Sequence, residues 1–181
     1  SLIMSGSSTQ ENPLLGTWKL IAASAIHADG SITPEVYDAD PMGYITYTAD
    51  GHMLVMFAKR DRPVLSKNVR SPLNRDMDTV PIAELAAAFR SFSAYAGTYT
   101  INGTTVTHHL EIASLPNRVG TDLVRTFRVS ENQVTLTTAP IEGNGVSQFE
   151  LLWERVKPVS SSTAFASQSN SQENLQRCSD P

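Results

Sequence analysis

Two of the chain's four histidines stand side by side in Val106-Thr107-His108-His109-Leu110-Glu111-Ile112, a run whose β-branched and apolar residues suit a strand. Successive side chains of a strand point to opposite faces, so the two imidazoles cannot share one task. Val106, His108, Leu110 and Ile112 make one face, and Thr105, Thr107, His109 and Glu111 the other. His108 is therefore expected inside, and His109 outside in a solvated pair with Glu111. Arg125 raises the same question, because it alternates in phase with Leu123, Phe127 and Val129. A guanidinium on a core face needs a partner. If Ile112 opposes Thr121 in an antiparallel pair, His108 lies opposite Arg125, and a one-residue slip separates them. In that register the arginine lowers the histidine's pKa by like-charge proximity. Neutral His108 then acts as a general base while Arg125 stabilises an enolate or carboxylate. The alternative is structural: Arg125 pairs with an interior carboxylate and His108 is a hydrogen-bonded core residue.

Other side chains are candidates for holding a ligand. Tyr44, Tyr47, Tyr95 and Tyr99 offer phenol donors, although tyrosines at a barrel mouth also simply pack. His52 shares a face with Leu54 and Met56 and reads as a rim residue. Met56, with Met53 and Phe57, suits an adaptable pocket or ordinary core filling. Asn117, after Pro116, either touches a ligand at the rim or shapes a turn.

The elements that must position these groups are short strands. Residues 14–26 read as a long first strand ending at Ala28-Asp29-Gly30, and residues 32–37 as a weaker second. Residues 43–48 and 52–58 flank Asp50-Gly51, and residues 98–101 and 104–112 flank Asn102-Gly103, both hairpin signatures. Residues 121–129, 133–138 and 147–156 complete a set of about eight strands. Many antiparallel strands at such spacing imply a sandwich or barrel, a mainly β fold. One helix interrupts them: residues 81–94 carry Ile82, Leu85, Phe89 and Phe92 at three- and four-residue intervals. Asp78 or Thr79 suits its cap, Pro81 its first turn and Gly97 its exit.

Composition limits the classes of function. The chain has 181 residues, 40% of them hydrophobic, enough for one sizeable core. A net charge of -4 supplies no basic stripe for nucleic acid or an anionic membrane. No apolar run approaches the roughly 20 residues that span a bilayer. No Gly-rich phosphate loop, His-Glu-x-x-His, Cys-x-x-Cys or Gly-x-Ser-x-Gly motif occurs, so neither a cofactor nor a metal is expected. The one cysteine, Cys178, reads as a surface thiol. Residues 1–12 read as a disordered leader with a tag remnant before Met4, residues 13–157 as the barrel domain, and residues 158–181, rich in Ser, Gln and Asn, as a disordered tail. A cytoplasmic location and either a monomer or a homodimer fit these features.

Six motifs in order carry a likeness: Gly16-Thr17-Trp18-Lys19-Leu20, Gly43-Tyr44-Ile45-Thr46-Tyr47, Tyr95-Ala96-Gly97-Thr98-Tyr99, the Val106 to Ile112 run, Pro116-Asn117-Arg118-Val119-Gly120 and Leu152-Trp153-Glu154-Arg155. Together they resemble the lipocalin-like domain family. The resemblance implies a small antiparallel barrel holding an apolar molecule, with Trp18 packed near Arg155 to close it. It also implies a link to lipocalin-like barrels of natural-product pathways that act as cyclases or isomerases. Two departures stand out: the signal peptide and disulfide of secreted lipocalins are not found, and Arg118 stands where an aromatic residue is expected.

Three functions follow as expectations. The first is a cofactor-independent cyclase or isomerase of an apolar secondary metabolite, working by orientation and proton transfer. The second is a non-catalytic carrier or sensor of a small hydrophobic molecule. The third is an interaction module that uses the barrel exterior.

Overall fold

A computed structural model describes residues 11–140 and 145–159. The expectations for the leader and the tail fall almost wholly outside those residues. Among them nine antiparallel strands run in meander order: β1 (Gly16–His27), β2 (Ile32–Thr33), β3 (Met42–Tyr47), β4 (His52–Ala58), β5 (Phe92–Asn102), β6 (Thr105–Ala113), β7 (Asp122–Ser130), β8 (Gln133–Thr138) and β9 (Val146–Arg155). β1 also pairs with β9, from Trp18 opposite Arg155 to His27 opposite Val146, so eight long strands close into a barrel. Closure removes the sheet edges that so many strands would otherwise expose. β2 is a two-residue flank on β1, shorter than the expected second strand.

The interior follows the period of two. Trp18, Leu20, Ile45, Tyr47, Met53, Val55, Val106, Leu110, Val134, Leu136 and Trp153 are buried and form one cluster. One end is plugged. Leu14 is buried there, Trp18 Nε1 donates to its carbonyl at 2.9 Å, and the Arg155 guanidinium lies 4.1 Å from the Trp18 ring centroid. Arg155 Nη1 also donates to the Leu15 carbonyl at 2.6 Å. The Trp18–Arg155 closure implied by the family likeness is therefore present.

The one α-helix among the described residues, α1 (Ile82–Arg90), is shorter than expected. Phe92 continues the helical spacing but begins β5, because its backbone pairs with Ala58. Asp78 and Thr79 belong to a preceding 3-10 turn (Arg75–Thr79), Pro81 holds the N-cap position, and Gly97 lies inside β5. Ile82 is 84% exposed, so only part of the apolar stripe packs. The long connection before α1 is tied back to it: Arg62 donates to the Ala88 carbonyl and Ser91 Oγ, and Ser66 donates to the Glu84 carboxylate. No helix among the described residues is long and apolar enough to cross a membrane.

A bulge in β6 overturns one expectation directly. Gly97 faces Leu110 while Ala96 faces Ile112, leaving Glu111 as the extra residue. A Cβ on Gly97 would meet the His109 carbonyl oxygen at 1.8 Å, so only glycine admits this bulge. The alternation then inverts, and Ile112, expected inside with His108, is 66% exposed.

Candidate functional site

The barrel opens at the end away from the Trp18 plug into a cavity of about 320 Å³. Its walls are chiefly apolar, with Ile45, Val55, Phe57, Leu136, Phe149 and Leu151 among them. Phe89 and Arg90 of α1, Val36 and Tyr37 of the β2–β3 connection, and Leu115 and Arg118 of the β6–β7 connection form its rim.

His108 lies in the wall and is 1% exposed. Its two ring nitrogens are both engaged. Nε2 lies 2.7 Å from Tyr47 Oη, which reaches across the barrel from β3, and Nδ1 lies 3.0 Å from Tyr95 Oη on β5. Proton positions follow from satisfying the donors. Tyr47 Oη has no second partner among the described residues, so its proton must go to Nε2 or be buried unpaired, at about 1–3 kcal/mol. Nδ1 then carries the ring proton and donates it to Tyr95 Oη. The Tyr95 proton is left over, and Tyr95 lines the cavity whereas Tyr47 does not. The chain Tyr47–His108–Tyr95 thus delivers one hydroxyl donor to the cavity wall.

Charge follows burial. The His108 pKa is pushed down to about 3, first by burial and then by the charge of Arg125. The like-charge effect expected from Arg125 is present but secondary. Burial holds both phenols above their ordinary value, most strongly at Tyr47; the charges of Arg125 and Arg118 oppose it at Tyr95. Tyr95 is accordingly the more acidic of the two.

The assumed pairing of β6 and β7 is off by two residues. Leu110 N–H donates to the Thr121 carbonyl, so Leu110 rather than Ile112 stands at Thr121. His108 then faces Leu123, and Arg125 faces Val106. A two-residue shift preserves the face, so Arg125 still lines the cavity with His108. Arg125 is half-buried, and its Nη1 donates to the Val124 carbonyl at 3.1 Å. The interior carboxylate that the structural alternative required is not found: among the described residues no Asp or Glu lines the cavity.

The other candidates separate by face. Tyr47, Tyr95 and Tyr99 point inward; Tyr99 belongs to the plugged end, where it donates to the Thr48 carbonyl and accepts from Asn12 Nδ2. Tyr44, 49% exposed, Met56, 48% exposed, and His52 point out of the barrel and are not brought to the cavity. Their inward neighbours Ile45, Val55 and Phe57 line it instead. Asn117 is exposed in a 3-10 turn (Pro116–Arg118), and the rim residue there is Arg118, whose guanidinium lies 5.9 Å from the Tyr95 ring centroid. His109 faces outward but pairs with Asp122 at 2.8 Å rather than with Glu111.

Three participants were not legible beforehand. Arg118 was visible only as a departure from the family pattern. Tyr37 read as part of a strand, yet it meets Phe57 edge-on at 5.0 Å on the cavity rim. Trp153 figures in the sequence only as part of the last motif; it lines the cavity, and its Nε1 is a buried donor with no partner among the described residues.

Of the comparisons with known proteins, one gives the family. The model of a lipocalin-like domain matches residues 15–156. Among curated proteins none matches the chain. An uncharacterized protein from Bacteroides eggerthii is similar in structure, with 9% identity over 79% of this chain and 99% of that one and a TM-score of 0.38. Rv2717c from M. tuberculosis is similar at 12% identity over 81% and 94%, with a TM-score of 0.32.

Proposed function

The chain belongs to the lipocalin-like domain family, and on that premise we propose that its barrel binds a small, largely apolar molecule through one acceptor oxygen. The observation that carries this reading is the Tyr95 hydroxyl, held by His108 Nδ1 at the wall of a chiefly apolar cavity, where the donor accounting leaves its proton for a ligand. An apolar pocket with a few convergent polar groups is the usual form of a small-molecule site. Burial of the ligand's hydrocarbon supplies affinity, and the hydroxyl fixes its orientation.

The same geometry supports a cofactor-independent cyclase or isomerase, with roles that differ from a His108 base. An imidazole whose pKa lies near 3 is too weak a base for proton abstraction near neutrality, and both its nitrogens are already bonded. His108 is better read as a positioning residue that holds Tyr95 in place. Tyr95 would donate to a carbonyl oxygen, Arg125 would stabilise the charge developing there, and the walls would hold the chain folded for ring closure or rearrangement. A carrier would use the same contacts without turnover.

Native mass spectrometry of freshly purified protein tests the binding reading. A bound small molecule whose occupancy falls in Tyr95→Phe supports it. A ligand held equally well by Tyr95→Phe removes the hydroxyl from the account. Turnover of that ligand by the wild type and not by Tyr95→Phe selects the enzyme; binding with no product selects the carrier.

A further inference from the structure

Resting on the reading of the barrel as a small-molecule site, we propose that its ligand is a monocarboxylic acid whose carboxylate is held by Arg118 and Arg125, with the Tyr95 hydroxyl as a third donor. The two guanidinium groups reach the same cavity from the β6–β7 connection and from β7, and both act on Tyr95. Neither forms an ion pair among the described residues, where the ion pairs are Arg60–Asp40 and His109–Asp122. Two like charges facing one partly dry space repel each other and lack their usual counter-ion. One anion placed between them answers both needs.

The planar fork of each arginine matches a carboxylate, and a short apolar acid suits the space. At about 30 Å³ per water-sized group, a cavity of about 320 Å³ holds on the order of ten non-hydrogen atoms. Val55, Leu136, Leu151 and Phe149 then surround the hydrocarbon. Trp153 Nε1, buried and unpartnered in the same wall, is available to an oxygen further along the ligand.

Octanoate and 1-octanol, matched in chain length, test the proposal by calorimetric titration of the intact protein. Octanoate is expected to bind on the order of tenfold or more tighter than the alcohol, as charge-assisted hydrogen bonds imply. Arg118→Met and Arg125→Met should each erase most of that preference, and Arg125→Lys should keep part of it; thermal melts confirm that each variant is folded. Equal affinity for acid and alcohol, or an acid preference that survives both methionine variants, overturns the proposal. Absence of binding by either probe overturns it too. Ala23→Trp, which fills the cavity wall, separates the two levels of the account. If it leaves octanoate binding intact, the acid sits elsewhere and the cavity reading itself fails. If it abolishes binding of both probes while the wild type shows no acid preference, the cavity reading stands and only the carboxylate is lost.

Discussion

The barrel has an arginine against an aromatic ring at each end, and the two pairs are spent differently. At the plugged end Arg155 lies 4.1 Å from the Trp18 centroid and donates to the Leu15 carbonyl, while the indole N–H donates to Leu14. Toward the open end Arg118 lies 5.9 Å from the Tyr95 centroid and Arg125 has no ion-pair partner among the described residues, and deeper in the same cavity Trp153 Nε1 has no hydrogen-bond partner among them. One end closes its own hydrogen bonds and the other leaves donors over. Function in a closed barrel is to be sought among groups that folding has dehydrated without satisfying.

His108 stands at the boundary between the two ends, and acid should expose it most strongly. Its folded pKa, near 3, lies below its ordinary value of 6.5, so the unfolded chain takes up a proton that the folded one refuses. Stability from this residue is complete above about pH 6.5 and is lost as the pH falls toward 3, a total on the order of 5 kcal/mol. Urea unfolding across that window should show the decline, and His108→Gln, which keeps a donor and an acceptor but does not titrate, should flatten it. Parallel curves for the two proteins would break the picture of a neutral, internally satisfied imidazole.

A smaller effect separates the arginines themselves. Arg155→Met should lower stability by about 1–2 kcal/mol, through the lost carbonyl contacts and the cation–π contact, without altering ligand binding. Arg125→Met should leave the empty protein unchanged or slightly more stable, since it removes a half-buried charge that has no counter-ion. Similar losses in both variants would erase the contrast between the ends.

The tyrosines divide in the same way on a finer scale. Tyr47→Phe strands a buried imidazole nitrogen and should cost about 1–3 kcal/mol. Tyr95→Phe strands the Nδ1–H of the same ring, should cost a similar amount of stability, and alone of the two should lower ligand affinity, which denaturation and titration of both variants will compare.

Periodicity carried most of the fold. The strands at residues 52–58 and 133–138 match β4 and β8 end to end, because hairpin chemistry at Asp50-Gly51 and at Ser130-Glu131-Asn132 marks their boundaries. Alternation distinguishes two faces of a strand but does not say which is inner. In β4 the set His52, Leu54, Met56 is nearly as apolar as Met53, Val55, Phe57, so the pattern alone does not show that His52 and Met56 point outward. Tyr44 and Tyr47 have opposite parity, and only one can face inward. The bulge at Glu111 has no local signature beyond Gly97 on the partner strand, and it turned Ile112 outward. The pairing of His108 with Arg125 missed by two residues but kept the face, which is why both still reach the cavity. Trp153 and Tyr37 depended on where the barrel opens, a global property that no single strand encodes.

His108 is neutral, protonated on Nδ1 and bonded at both nitrogens, so that Tyr95 presents its proton to the cavity. Nitrogen-15 NMR of the histidine rings tests it most directly. His108 should show a bare Nε2 and a protonated Nδ1, unchanged from neutrality down to about pH 5. A ring protonated on Nε2, or an imidazolium forming near pH 6.5, would contradict it.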